Sequence, residues 1–106
     1  MADSGVYNVS ATYTHYGQLT NATLIVPSSV TGFTITLAAT MGATGNQPPA
    51  TGTTTTVMRT AGTGAGTVLV KDDAGTTLTT STGTGVLQQY TYMFNGTHYV
   101  LITQVT

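Results

Sequence analysis

Between Phe33 and Leu37 apolar and polar residues alternate without a break: Phe33, Ile35 and Leu37 on one side, Thr34 and Thr36 on the other. A period of two predicts a β-strand with one face toward a core, and the three-and-four spacing of a helix is missing here. Val6–Tyr16 alternates in the same way and predicts a first strand, with Tyr7, Val9, Ala11, Tyr13 and His15 on one face and Gly17 ending it. Thr23-Leu24-Ile25-Val26 is a short apolar run stopped by Pro27, which cannot donate to a ladder. Thr53–Thr60 predicts another strand, with Val57 as its apolar anchor. Val68–Leu78 predicts strand, turn, strand. The turn is Lys71-Asp72-Asp73-Ala74-Gly75, in which Asp bonds local backbone, Gly75 supplies positive φ, and the charged side chains are expected in solvent.

The C-terminal stretch carries the strongest turn signal. Leu87–Phe94 and Thr97–Thr103 flank Asn95-Gly96, the preferred pair for a two-residue type I′ turn. Such a turn sets Phe94 opposite Thr97, Tyr92 opposite Tyr99 and Tyr90 opposite Leu101 on one face. Met93 with His98, Thr91 with Val100 and Gln89 with Ile102 fall on the other. The face holding Tyr90, Tyr92, Phe94 and Tyr99 has three possible roles: core, contact between subunits, or a platform on which a sugar or base stacks. Buried tyrosine hydroxyls need partners, which makes a half-wet boundary between subunits a fitting place for them.

Composition narrows the picture. Threonine fills 27 of 106 positions, a β-branched residue suited to a pleated, half-buried surface. Charged residues make up 5% of the chain, against a usual share of about a quarter. Arg59 and Lys71 are the only cations, too few to neutralise a run of phosphates or to hold an anionic membrane. The net charge of −1 gives little self-repulsion and favours association. Leu, Ile, Val and Phe number 22 and there is no cysteine, so an isolated chain is expected to be marginal and to finish its burial on neighbours. The start, Met1-Ala2-Asp3-Ser4-Gly5, is neither basic nor apolar and predicts no secretory leader. Residues 41–52, rich in Gly, Pro and Thr and including Pro48 and Pro49, form a long loop: either a surface excursion or an arm on a neighbouring subunit.

Candidate chemistry is thin. His15 and His98 are the only histidines, both read as strand positions, and Glu and Cys are absent, so no metal set or cofactor site is assigned. The glycines of Ala61-Gly62-Thr63-Gly64-Ala65-Gly66 lead into a strand, without the Lys-Ser/Thr and helix of a phosphate loop. No Gly-x-Ser-x-Gly elbow is present, and the three aspartates offer no separated carboxylate pair. No catalytic residue is assigned, and the chain is read as non-enzymatic.

Three stretches together resemble β modules of tailed-phage virion proteins. They are Thr60–Gly66, Thr67–Leu78 with its Asp-Asp-Ala-Gly turn, and Phe94-Asn95-Gly96-Thr97-His98-Tyr99-Val100-Leu101-Ile102. Such modules join a glycine-rich turn, a strand, an acidic Gly turn and a closing hairpin. The tryptophan that usually closes the hairpin is absent, with Tyr99 nearby. The resemblance implies a capsid decoration or cement protein, made in the host bacterial cytoplasm and sited on the capsid exterior. It also implies an oligomer, preferably a trimer, that braces the major capsid protein or other virion proteins. The alternative is a fibre-type or carbohydrate-binding module that uses Tyr90, Tyr92 and Tyr99 for attachment. The expected fold is a single all-β domain over 1–106: an antiparallel sandwich or small barrel of about seven or eight short strands closed by the Asn-Gly hairpin. The expected interface residues are Tyr90, Tyr92, Phe94, Tyr99, Pro48 and Pro49.

Overall fold

The computed structural model describes residues 6–16, 22–27, 32–38, 50–60, 66–82 and 87–105. Within them lie nine strands: β1 (Val6–Asn8), β2 (Tyr13–Tyr16), β3 (Ala22–Val26), β4 (Phe33–Ala38), β5 (Thr54–Arg59), β6 (Thr67–Asp72), β7 (Thr77–Thr82), β8 (Gln88–Phe94) and β9 (Tyr99–Val105). They form a five-stranded sheet in the order β1-β3-β5-β8-β9 and a four-stranded sheet in the order β2-β4-β6-β7. The all-β expectation holds. The antiparallel one is corrected, since both sheets are mixed.

The topology explains the mixture. Through the first six strands the chain alternates between the sheets, and each strand lies parallel to the one two before it. Val6 pairs with Thr23 and Ala22 with Thr55 in one sheet, while Tyr13 pairs with Ile35 and Phe33 with Val68 in the other. After this three-turn winding, β6 and β7 form an antiparallel hairpin, β8 returns beside β5, and β9 folds back on β8.

The predicted first strand is two. Val9 N–H still donates to Ile25 O (2.9 Å), but the chain then leaves the five-stranded sheet, and Tyr13–Tyr16 pairs with β4 in the other. Alternation could not reveal the crossing, because Val9 and His15 face inward on both sides of it. The other strands form close to where they were expected, and Ile35 and Leu37 face inward as their alternation predicts. Leu24, Val26, Ile35, Leu37, Val68 and Val70 are almost fully shielded, and Val57 joins them. One apolar cluster draws on both sheets, from Leu24 and Val57 in one to Ile35 and Val70 in the other. The radius of gyration, 13.0 Å, is that of an ordinary domain of about 100 residues, so the strands close a core of their own.

The last hairpin keeps its faces but not its register. Phe94 pairs with Tyr99, Met93 with Val100 and Tyr92 with Leu101. A type I′ turn needs positive φ at both central residues, and no described non-glycine residue has it; Gly96 does, at 104°. Asn95 instead uses its side chain: Oδ1 accepts the N–H groups of Thr97 (2.9 Å) and His98 (3.0 Å). Asn95 N–H donates to His98 O (3.0 Å), so the turn centres on Gly96-Thr97. The pairing therefore moves by two residues, and an even shift leaves Tyr92–Phe94 and Tyr99–Leu101 on their predicted faces. A bulge between Thr91 and Tyr92 then gives β9 an extra residue, so that Thr91 meets Thr103. His98 belongs to this turn and not to a strand.

The acidic turn is also corrected in one respect. Gly75 has the expected positive φ, 90°, but Asp72 is buried. Its Oδ1 accepts the N–H groups of Ala74 (3.0 Å) and Thr76 (2.9 Å), which makes it part of the turn's frame.

Candidate assembly surface

The aromatic face predicted as an interface is core. Tyr92 and Tyr99 have no exposed surface, and Tyr90 and Phe94 have 5%. The Phe94 and Tyr99 rings meet at a tilt of 56°, centroids 5.6 Å apart. Alternation on β8 turns Tyr90, Tyr92 and Phe94 inward, and with Tyr99 of β9 they join the aliphatic side chains of the winding in one core cluster. Burial inside one chain leaves them neither to a second subunit nor to a stacked sugar. Pro48 and Pro49 lie outside the described residues; the end of that loop is tied to β8 by Gly52 N–H donating to Phe94 O (2.8 Å).

The hydroxyls in this core find partners unevenly. Tyr92 OH and Thr79 Oγ1 share a hydrogen bond in which either can donate. Burial raises the Tyr92 pKa above the usual phenol value, against the lowering effect of that bond. Burial also raises the Tyr99 pKa. The hydroxyls of Tyr99 and Thr55 are near enough for Thr55 to offset part of that rise, yet neither completes a well-formed hydrogen bond.

β7 turns polar residues inward. Thr79 and Ser81 are buried, and Ser81 Oγ donates to Gln88 Oε1 (2.7 Å) across the two sheets. Arg59 joins this seam. It is 2% exposed, and its Nη1 donates to Ser81 O (2.9 Å) and, at a longer 3.5 Å, to Ser81 Oγ. Sequence reasoning passed over Arg59 because an arginine ending a threonine-rich strand looks like a solvent residue. The signal was its parity with Thr55 and Val57.

The surface open to a partner is the outer face of the five-stranded sheet. Residues between the inward ones on β3, β5 and β8 are half-buried, and none is charged: Thr23 and Ile25, then Thr54, Thr56 and Met58, then Gln89, Thr91 and Met93. Register aligns Thr23, Thr56, Thr91 and Thr103 in one row across four strands, with Thr56 and Thr91 hydroxyls 3.2 Å apart. The next row is Ile25, Met58, Gln89 and Val105. Val105 in this row is 55% exposed, and Leu87 (43%) and Ile102 (48%) are exposed as well. β9 is an edge strand, uncharged and without proline, and its second half is exposed on both sides. By contrast, Lys71, Asp72 and Asp73 all belong to the four-stranded sheet and its turn.

Half-exposed Tyr7 and Tyr13 flank the His15 ring, with centroids 6.4 and 6.2 Å from it, at the β1–β2 side of the molecule. Among the described residues no pocket opens and no set of three His, Cys, Asp or Glu is gathered for a metal. No family model matches the chain, and neither a curated protein nor a solved structure is detectably similar to it.

Proposed function

We propose that the chain is a non-enzymatic structural protein of a bacteriophage particle, a capsid decoration or cement protein that acts as an oligomer, with its two sheets packed as a sandwich. The observation that carries the assembly reading is the uncharged outer face running from Ile25 and Met58 to the exposed Val105 and Leu87 at an open edge strand. Docking such a face desolvates no ion, which is a frequent penalty when surfaces meet. β9, which has no charge or proline and no described strand beyond it, offers N–H and C=O groups to a further strand. The phage setting rests on the sequence resemblance.

The mechanism is one of linkage. Each contact made only in the assembled shell removes apolar and threonine-rich area from water there, and so stabilises the shell over its parts. The surface that carries the contact is this sheet face and not the tyrosine ladder of the hairpin. The attachment alternative loses its supposed platform, since Tyr90, Tyr92 and Tyr99 are interior.

Native mass spectrometry of the free protein, run beside co-sedimentation with empty phage shells, tests this. The expected result is an oligomer, a trimer by preference, that pellets with shells. Val105→Lys places a charge on the edge and should reduce both signals while leaving the far-UV circular dichroism unchanged. A wild-type chain that stays monomeric and ignores shells would overturn the reading.

A further inference from the structure

Arg59 is a buried cation with only one of its three guanidinium nitrogens bonded. Nη1 is fixed by Ser81, but Nε and Nη2 are buried and have no partner. Both unpartnered groups lie on the same edge of the guanidinium, the side from which Nε–H and one Nη2–H point in parallel. That edge is the fork that grips the two oxygens of a carboxylate or a phosphate. Leaving both donors empty while the charge stays out of water is costly, because arginine does not shed its proton to escape.

The described residues offer little to fill the fork. The chain has no glutamate, and of its aspartates Asp72 and Asp73 are among the described residues. Asp72 has turned its carboxylate to the N–H groups of Ala74 and Thr76 at the far end of β6. Arg59 ends β5, whereas β6 starts near that end and runs away from it for six residues, about 17 Å. Among the described residues, the polar groups shown beside Nη1 are engaged: Ser81 Oγ donates to Gln88 Oε1, and the Ser81 carbonyl accepts from Nη1.

We infer that the Nε–Nη2 edge of Arg59 is a binding site for a two-oxygen anion, a carboxylate or a phosphate group, held beneath the Ser81–Gln88 end of the sheets. Ser81 presets the guanidinium plane, and the anion completes it with a bidentate pair. No pocket opens among the described residues, so entry requires local parting of the structure at this end. Binding therefore shows as a stabilisation of the folded chain that saturates with anion concentration.

Arg59 is the only arginine, so its side-chain Nε–H gives a single resonance in a proton–nitrogen spectrum of the full chain. Titration with sodium formate, and separately with sodium phosphate, at ionic strength matched by sodium chloride, should shift that resonance in a saturable manner. The melting temperature should rise with it, by about 4 °C or more once the site is well above half filled. A response to formate alone identifies a carboxylate as the ligand; a response to phosphate identifies a phosphate group. Arg59→Lys keeps the charge but not the fork, and should abolish the rise. The spectrum of the wild type decides the matter even if that variant folds poorly. An Nε–H resonance unmoved by both anions would overturn the inference and leave a buried water, or nothing, on that edge. Retention of the full thermal effect in a folded Arg59→Lys would also overturn it, by assigning the effect to the general surface.

Discussion

The wound part of the molecule, β1–β6, and the hairpin part, β7–β9, close one core with different chemistry. The winding contributes mostly aliphatic side chains, Leu24, Val26, Ile35, Leu37, Val57, Val68 and Val70. The hairpins contribute Tyr90, Tyr92, Phe94 and Tyr99, with Thr79 and Ser81 inward from β7. Aliphatic packing requires shape alone. A tyrosine in the same core also needs an acceptor or donor for its hydroxyl, and the inward hydroxyl of Thr79 supplies one for Tyr92. The threonine content thus serves two ends: β-branched bulk for strands, and polar partners for buried aromatics.

The largest effect should come from emptying either half. Tyr92→Ala should cost about 3–5 kcal/mol and Ile35→Ala about 2–5 kcal/mol in urea unfolding. The informative comparison is Tyr92→Phe, which keeps the ring and strands the Thr79 hydroxyl. A loss of about 1–3 kcal/mol is expected there. A neutral Tyr92→Phe would mean that the hairpin half is held by shape alone, like the winding.

Backbone tests come next. In the winding, a Cβ on Gly32 would lie 2.5 Å from Thr67 O and 3.1 Å from Thr67 N, where the chain entering β4 passes the start of β6. Gly32→Ala should therefore destabilise by about 1–3 kcal/mol, because the obstacle is backbone and cannot swing away. In the hairpin, a Cβ on Gly96 would lie 3.3 Å from Thr51 Oγ1, a side-chain atom that can give way, so Gly96→Val should lower stability mainly through its positive φ of 104°, by about 1–2 kcal/mol. Melting curves of the two variants check both, and an unchanged midpoint for either would refute the close approach or the turn.

The smallest effect depends on pH and belongs to the hairpin half. Tyr92 and Tyr99 hold their protons in the folded chain beyond the ordinary phenol value of 10.0. Their contribution is complete below about pH 10. Above it the unfolded chain releases protons that the folded chain keeps, so stability falls as pH rises, by up to about 1.4 kcal/mol per pH unit for each tyrosine. Urea midpoints measured from pH 8 to pH 11 should be level and then decline, and Tyr92→Phe should soften the decline.

Much of the strand inventory was legible because side-chain parity is a local property. Ile35 and Leu37 announce their face through Thr34 and Thr36 beside them, whereas in the apolar run Leu24-Ile25-Val26 only the fold decides that Leu24 and Val26 point inward. The faces of Tyr90, Tyr92 and Phe94 were equally legible and survived a two-residue change of register. The interface assignment of those aromatics was not legible, since a hydrophobic face looks the same whether its partner is another sheet of the same chain or another subunit. Arg59 was missed for a related reason: its burial depends on β7 and β8, far along the chain.

The sequence by itself determined an all-β chain, the faces of its alternating strands, the places of its glycine turns and its lack of charge, because alternation, glycine φ and composition act within a few residues. Tertiary structure alone decided that the first six strands wind in parallel between two sheets, that the tyrosine ladder meets the aliphatic core, and that an arginine ends inside. Those outcomes rest on pairings such as Ala22 with Thr55 and contacts such as Arg59 with Ser81. Parallel pairing joins residues through long connections whose ends carry no local mark of the strand they will meet.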